Sequence, residues 1–107
     1  MGILLVHQSH IAAYRDAFEP QDLRWDRRDP NAGPEARNFG AVKGQSFDRV
    51  LIHPTSKITN FIEKGAPLAA GAAAKFYVAI TRARHSVAIV TKKTSSSSSI
   101  PYWDPGI

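Results

Sequence analysis

The sequence predicts one α/β domain built around a parallel β-sheet. Three apolar runs, at residues 3–7, 49–53 and 86–90, are continuous rather than alternating, which is typical of strands buried on both faces. Segments with helical spacing of apolar residues separate them, and strands that alternate with helices favour a parallel sheet. Because such sheets bind ligands beyond the carboxyl ends of their strands, we expect a binding site at that edge.

The first half of the chain is predicted to contain three strands and one helix. Ser9 can cap a helix and Pro20 cannot continue one, so a helix is expected between them. Two prolines, with Asn31 and Gly33 between them, predict a loop before the third strand. In chain order, the predicted elements are a strand at 3–7, a helix at 11–18, a strand at 23–25, a loop at 29–34 and a strand at 36–42.

The second half is predicted to contain a turn, two strands and two helices. Pro54 stops the first of these strands, and Gly65 ends the helix that follows it. An alanine-rich start and the helical spacing of Phe76, Ile80 and Ala83 predict the longest helix. In chain order, these elements are a polar turn at 43–46, a strand at 49–53, a helix at 57–64, a helix at 72–84 and a strand at 86–90.

Composition indicates a globular domain followed by a tail of different character. The domain is predicted over residues 1–94, and a serine run opens a flexible, Ser-rich tail over residues 95–107. Two aromatic residues of that tail, Tyr102 and Trp103, either dock onto the domain or remain disordered, and the composition leaves both possibilities open.

The composition also limits the classes of protein and partner. The chain has no cysteine, which excludes disulfides, iron–sulfur clusters and thiolate zinc sites and fits a reducing compartment. No apolar stretch has the length of a membrane span and no signal peptide is recognisable, so we expect a cytoplasmic protein without a membrane partner. The net charge of +5 suits a polyanionic partner and serves solubility equally well.

The polar turn at residues 43–46 is the first segment with phosphate-binding character. Gly44 allows backbone N–H groups to approach a phosphate closely, while Lys43 and Ser46 add hydrogen-bond donors. Turns of this composition are also common on protein surfaces, so the turn alone is compatible with either role.

The helix predicted at residues 72–84 is the second such segment. Phe76, Ile80 and Ala83 share one face at 100° per residue. Arg82 lies about 200° from Ile80 and therefore points away from that face. An arginine held there can bind a phosphate through two parallel hydrogen bonds, or it can be an ordinary solvated side chain.

Together, the two segments resemble motifs V and VI of superfamily 1 DNA helicases of the UvrD/Rep type. Residues 43–50 are Lys-Gly-Gln-Ser-Phe-Asp-Arg-Val, where that family has Lys-Gly-Leu-Glu-Phe-Asp-x-Val. Residues 77–84 are Tyr-Val-Ala-Ile-Thr-Arg-Ala-Arg, where the family has Tyr-Val-Ala-Leu-Thr-Arg-Ala-Arg. The resemblance covers residues 36–92 and implies the C-terminal, second RecA-like domain of the motor, which is a three-layer parallel-sheet fold related to P-loop NTPases but without a P-loop.

The resemblance implies a role for each matched residue. Arg82 would be the arginine finger that meets the γ-phosphate of a nucleotide in trans, with its helix fixed by Tyr77 and Thr81. The turn would lie near single-stranded DNA and couple it to the nucleotide site. The implied nucleotide-binding residues are Gly44, Ser46, Arg82 and Arg84, and the implied nucleic-acid-binding residues are Asn38, Lys43 and Gly44.

Departures from the family pattern affect the expected cofactors. Ser46 stands where the family has a glutamate, and Asn38-Phe39-Gly40 stands where it has Thr-x-His. The sequence contains no Gly-x-x-x-x-Gly-Lys-Ser/Thr loop and no paired acidic residues for magnesium at the end of an apolar strand. We therefore expect ATP and Mg²⁺ only when a helicase domain with a Walker A loop completes the site, from the same longer gene or from another chain. No ATP hydrolysis is expected from this chain alone.

Two functions are compatible with these patterns. The first is a motor-domain fragment of an ATP-dependent DNA helicase, with single-stranded DNA and a Walker A domain as partners. The alternative is a stand-alone, non-catalytic nucleic-acid-binding or adaptor protein derived from such a domain. No metal site is expected, because His7 and His10 lack further zinc-type ligands nearby, and His53 and His85 are expected to be structural or surface residues.

Overall fold

A five-stranded parallel sheet forms the centre of the computed structural model, which describes residues 2–25, 32–92 and 100–103. The order of the strands in the sheet is β1-β5-β4-β2-β3, and every neighbouring pair is parallel. The predicted α/β class with a parallel sheet is therefore confirmed. In chain order the elements are β1 (Gly2–His7), α1 (Ile11–Phe18), β2 (Gln21–Arg24), β3 (Arg37–Asn38), β4 (Phe47–His53), α2 (Ser56–Lys64), α3 (Ala70–Thr81) and β5 (Ala83–Thr91).

Both faces of the sheet are covered, as the continuous apolar runs predicted. Val50 and Ile52 belong to a larger core cluster, while Leu51 between them belongs to a smaller one. Successive residues of a strand point to opposite faces, so the two clusters lie on opposite sides of the sheet. The central strands β4 and β5 consequently contain the fully buried residues around which the domain forms.

The connections between strands leave the sheet on opposite faces. From β1 the chain passes through α1 to β2, and Tyr14 and Phe18 of α1 pack in the smaller cluster. From β4 the chain returns through α2 and α3 to β5, and Ile58 and Phe76 of these helices pack in the larger cluster. Because β5 lies between β1 and β4, the two connections diverge around its carboxyl end.

The start of α1 differs from the prediction. Ser9 does not cap the helix, because residues Gln8–His10 form a 3₁₀ turn in which the backbone N–H of Ser9 donates to Nδ1 of His7 at 3.2 Å. The residue before α1 is His10, which makes no side-chain capping bond. The helix ends where Glu19 adopts a left-handed conformation with φ of 47°, directly before Pro20.

The third strand is much shorter than predicted. Pairing with β2 is limited to Arg37 and Asn38, and residues Phe39–Ala41 form a 3₁₀ turn. Phe39 and Val42 are both buried in the larger cluster. Two residues three positions apart point to opposite faces of a strand but to the same side of a 3₁₀ turn, so burial of both side chains favours the turn.

The end of α3 is the correction with the greatest bearing on function. The helix stops at Thr81, Arg82 is its C-cap, and Ala83 already pairs with Phe47 in the sheet. The predicted helical placement of Ala83 and Arg84 is therefore wrong. Sheet hydrogen bonds to β4 replace the helical ones, because tertiary pairing outweighs the local helix preference of alanine and arginine.

Part of the C-terminal tail lies along the edge of the sheet. The N–H of Leu5 donates to the carbonyl oxygen of Pro101 at 2.8 Å, and the N–H of Trp103 donates to the carbonyl oxygen of Leu5 at 2.7 Å. The Trp103 ring packs edge-on against Tyr14 and Phe18, with centroid separations of 5.3 and 5.9 Å. The predicted serine linker and the first part of the loop predicted at 29–34 lie outside the described residues.

Within the part of the chain that the structure describes, none of the helices combines the length and apolar character needed to cross a membrane.

Candidate functional site

The two motif-bearing segments meet at the amino ends of β4 and β5. The turn at residues 43–46 leads directly into Phe47, and Arg82 closes α3 directly before β5. The backbone N–H of Phe47 donates to the carbonyl oxygen of Arg82 at 2.7 Å. One hydrogen bond thus joins the first residue after the turn to the arginine itself.

The turn has the backbone geometry that glycine favours. Gly44 has a φ of +83°, and the N–H of Gln45 closes the turn by donating to the carbonyl oxygen of Val42 at 3.0 Å. A Cβ atom added to Gly44 would meet no atom within 4 Å, so the backbone conformation rather than a close contact requires glycine. Lys43, Gly44 and Ser46 are all exposed and therefore accessible to a ligand.

The Arg82 side chain is half-buried and anchored at one point. Its Nη2 donates to Oγ1 of Thr81 at 3.2 Å, and Thr81 itself bonds back to the carbonyl oxygens of Tyr77 and Val78 at 2.9 and 3.1 Å. The Tyr77 side chain is 68% exposed, so this residue supports the helix end through its backbone alone.

The guanidinium of Arg82 retains unused donors. Its Nε is buried without a hydrogen-bond partner, and no carboxylate of the described residues forms an ion pair with it. Leaving a buried charged donor unsatisfied costs free energy that an incoming anion would recover. Arg82 thus has the capacity to bind an anion that approaches the amino edge of the sheet.

Arg84 is positioned differently, because its guanidinium already has partners. It donates to Oγ of Ser46 and to Oδ1 of Asp48, both at 3.3 Å. His85 approaches the same Asp48 oxygen at 3.9 Å. These contacts are largely exposed, and they connect the turn to β5 by a second route.

Asn38 does not join this cluster. Asn38 pairs with Arg24 in the sheet, and the Oδ1 of Asn38 accepts a hydrogen bond from Nε of Arg24 at 3.0 Å. On its other side, Arg24 pairs with His53, the last residue of β4. Asn38 thus lies level with the carboxyl end of β4, whereas the turn at residues 43–46 leads into its amino end. The structure brings the proposed nucleotide-binding residues together at the amino edge of the sheet, opposite the carboxyl edge where the fold class led us to expect a ligand.

The carboxyl edge contains polar residues that sequence reasoning did not select as site residues. His53, Glu63 and Thr91 are the buried polar or charged residues of the described chain, with 4, 7 and 4% exposure. Oγ1 of Thr91 donates to Oε1 of Glu63 at 2.9 Å. His53 and Thr91 each end an apolar run with a polar residue, and this was the available signal in the sequence.

His53 belongs to a hydrogen-bonded group of ionisable side chains beneath α1. Its Nε2 lies 2.8 Å from Oδ2 of Asp22, which also accepts hydrogen bonds from Arg15. Burial by itself would raise the pKa of Asp22, but the hydrogen bonds from His53 and Arg15 outweigh it and hold the pKa of this carboxyl below its ordinary value. His53 thus has a structural role, because the Asp22 carboxylate holds its imidazole ring in place.

Across the described ranges, no group of three or more His, Asp or Glu side chains is arranged to hold a metal ion. A comparison with models of known protein families finds no match for this chain, and a comparison with curated proteins finds none either.

Proposed function

We propose that this chain is the second, three-layer RecA-like domain of a superfamily 1 helicase motor of the UvrD/Rep type. In this role it supplies an arginine finger to ATP and Mg²⁺ held by a separate domain that contains a Walker A loop. The chain is not catalytic alone, and it engages single-stranded DNA through the turn at residues 43–46.

The observation that supports this proposal most strongly is the state of Arg82. Its guanidinium is held by Thr81, has a buried Nε without a partner and pairs with no described carboxylate. A surface arginine without such a role is ordinarily solvated or paired, as Arg84 is with Asp48. A half-buried guanidinium with spare donors is suited to the negative charge that develops on a transferring phosphoryl group.

The link between the turn and Arg82 supports the proposed coupling of DNA to nucleotide. A shift of the turn moves Phe47, which is bonded through its N–H to the Arg82 carbonyl oxygen. The contact between Arg84 and Ser46 adds a side-chain link over the same gap. A single DNA strand that contacts the turn can therefore shift the position of Arg82 without touching it.

The test is an ATPase assay that combines this chain with the isolated Walker A domain of a UvrD/Rep-type helicase. We expect stimulation in the presence of Mg²⁺ and single-stranded DNA, and we expect Arg82→Ala to abolish it, because arginine fingers contribute factors of about 10³ or more to phosphoryl transfer. Arg82→Lys should not restore the stimulation, because lysine lacks the planar fork of donors. Thr81→Val should reduce it by releasing the guanidinium.

Lys57→Ala is the matched control, because it removes a positive charge from an exposed position on α2, away from the turn and Arg82. Stimulation that persists in Arg82→Ala, or that falls equally in Lys57→Ala, would overturn the arginine-finger assignment.

The alternative function is a non-catalytic nucleic-acid-binding or adaptor protein, and two observations favour it. The sequence lacks a Walker A loop, and its net charge is +5. This function predicts binding to single-stranded DNA that weakens with salt, is indifferent to Arg82→Ala and occurs without ATPase stimulation.

A further inference from the structure

We propose that a cleft at the carboxyl edge of the sheet binds a small phosphorylated molecule that also carries hydroxyl groups, of the size of a nucleoside monophosphate. The cleft has a volume of about 730 Å³. It lies at the opposite end of β4 and β5 from Arg82, so this inference is independent of the function proposed above. Its polar lining residues include Ser9, His53, Glu63, Lys64, Thr91 and Lys92.

The strand order creates this cleft. The connection that follows β1 leaves on the face covered by α1, and the connection that follows β4 leaves on the face covered by α2. With β5 between them, the two connections separate above its carboxyl end. Ligands of open parallel sheets bind at such divergence points, because the diverging connections leave a crevice there.

The floor of the cleft is polar, in contrast to the apolar core beneath it. His53, Glu63 and Thr91, the buried polar residues of the described chain, all line it. A fold that needed only stability would gain more from apolar side chains at these positions, because a buried polar group must recover its desolvation cost through hydrogen bonds. All three are hydrogen-bonded within the protein, and their common location gives the cleft a polar floor that suits a polar ligand.

His53 defines the chemistry expected at the floor. Asp22 accepts from Nε2 of His53, and no described residue bonds Nδ1. In the neutral ring, Nδ1 then holds the lone pair and is the nitrogen that remains for a bound molecule. A hydroxyl group of the ligand is the matching donor.

The rim of the cleft defines the other end of the ligand. Lys64 and Lys92 are exposed at its mouth, and Ser56, the first residue of α2, also lines the cleft. Glu63 is the sole acidic residue among the lining residues. The apolar walls, formed by Ile11, Pro54 and Val90, suit a flat ring. Hydroxyl groups, a ring and a phosphate match these three surfaces.

The test is an NMR titration of the full 107-residue chain with AMP, and separately with adenosine and with inorganic phosphate, which each carry one part of AMP. We expect saturable amide shifts at Ser9, Ser56, Thr59 and Lys92 with AMP, and weaker binding of adenosine and of phosphate. Adenosine or phosphate binding as tightly as AMP would overturn the two-ended recognition. The absence of saturable shifts would overturn the site.

Variants at the mouth of the cleft make the test specific. Lys64→Ala should weaken AMP binding about two- to fivefold, as expected for an exposed ionic contact, whereas Lys57→Ala on the same helix but outside the cleft should leave it unchanged. Asn60→Trp places a large side chain at an exposed lining position and should abolish binding without disturbing the core. Equal effects of the two lysine variants, or binding that survives Asn60→Trp, would overturn the proposal.

Arg82→Ala separates this inference from the proposed function. Because Arg82 lies at the amino edge, the variant should retain full AMP binding at the cleft while losing ATPase stimulation. Loss of AMP binding in Arg82→Ala would show that the nucleotide is bound at the other end of the sheet and would overturn the cleft site.

Discussion

Asp22→Asn removes a negative charge that two basic side chains share beneath α1. The Asp22 side chain is 12% exposed, and it accepts bonds from Nε2 of His53 at 2.8 Å and from Nε of Arg15 at 3.2 Å. A hydrogen bond to a buried charged group contributes about 1.5–3 kcal/mol. The Arg15 contact counts for less, because that side chain is 38% exposed, and the asparagine oxygen keeps an acceptor for His53. We expect the free energy of unfolding to fall by about 2 kcal/mol, or roughly 10 °C in Tm.

The chain provides a matched control for this variant. Asp48 also contacts an arginine and a histidine, Arg84 and His85, but all three side chains are more than 60% exposed. Asp48→Asn should therefore change the free energy of unfolding by less than about 0.5 kcal/mol. Urea unfolding of both variants, followed by circular dichroism at pH 7, measures the difference. Equal destabilisation by the two substitutions would refute the view that burial gives the Asp22 network its strength.

The same network predicts a pH dependence of stability. Because the pKa of Asp22 is lowered in the folded state, the unfolded chain binds more protons at this group in acid. Its contribution is complete above the unfolded pKa of about 3.9 and is lost as the pH falls through the lower folded value. Asp22→Asn should flatten the acid limb of the stability profile below about pH 4 relative to the unsubstituted chain. An unchanged acid limb would contradict the assignment.

Two further predictions concern the turn and the tail. Gly44→Ala should lower the free energy of unfolding by about 1 kcal/mol because φ is +83°, whereas Gly40→Ala, at a position without a positive φ, should be neutral or slightly stabilising in the same urea assay. Trp103→Ala should cost about 2 kcal/mol by removing a half-buried ring from its contacts with α1, whereas Tyr77→Ala, 68% exposed, should stay within about 0.5 kcal/mol. Thermal unfolding of all four variants checks both comparisons. Equal losses of stability in Gly44→Ala and Gly40→Ala, or in Trp103→Ala and Tyr77→Ala, would contradict the corresponding structural explanation.

The strands and helices that depend on local pattern could be predicted closely. The apolar runs became β1, β4 and β5, and the helix at Ile11–Phe18 was predicted with the bounds that the structure gives it. Gly65 ends α2 in the expected left-handed conformation, with φ of 69°. Apolar spacing and glycine conformation act within a few residues, so a single sequence contains the necessary information.

The errors arose where distant contacts outweigh local preference. The third strand gives way to a 3₁₀ turn because Phe39 and Val42 are both required in one core cluster. The last helix ends early because Ala83 pairs with Phe47, which is 36 positions away in the sequence. Neither contact has a local signal, since each depends on the strand order.

The features of the candidate sites also divide into those that the sequence predicts and those that only the tertiary structure shows. Residue types and spacing were enough to select Lys43, Gly44 and Arg82, because the motif resemblance is carried by the chain itself. Three features follow instead from the order β1-β5-β4-β2-β3. They are the hydrogen bond from Phe47 to Arg82, the position of Asn38 level with the carboxyl end of β4, and the buried polar floor at that edge. Strand order depends on hydrogen bonds and packing between segments far apart in the chain, and for that reason it emerges only when the whole domain is folded.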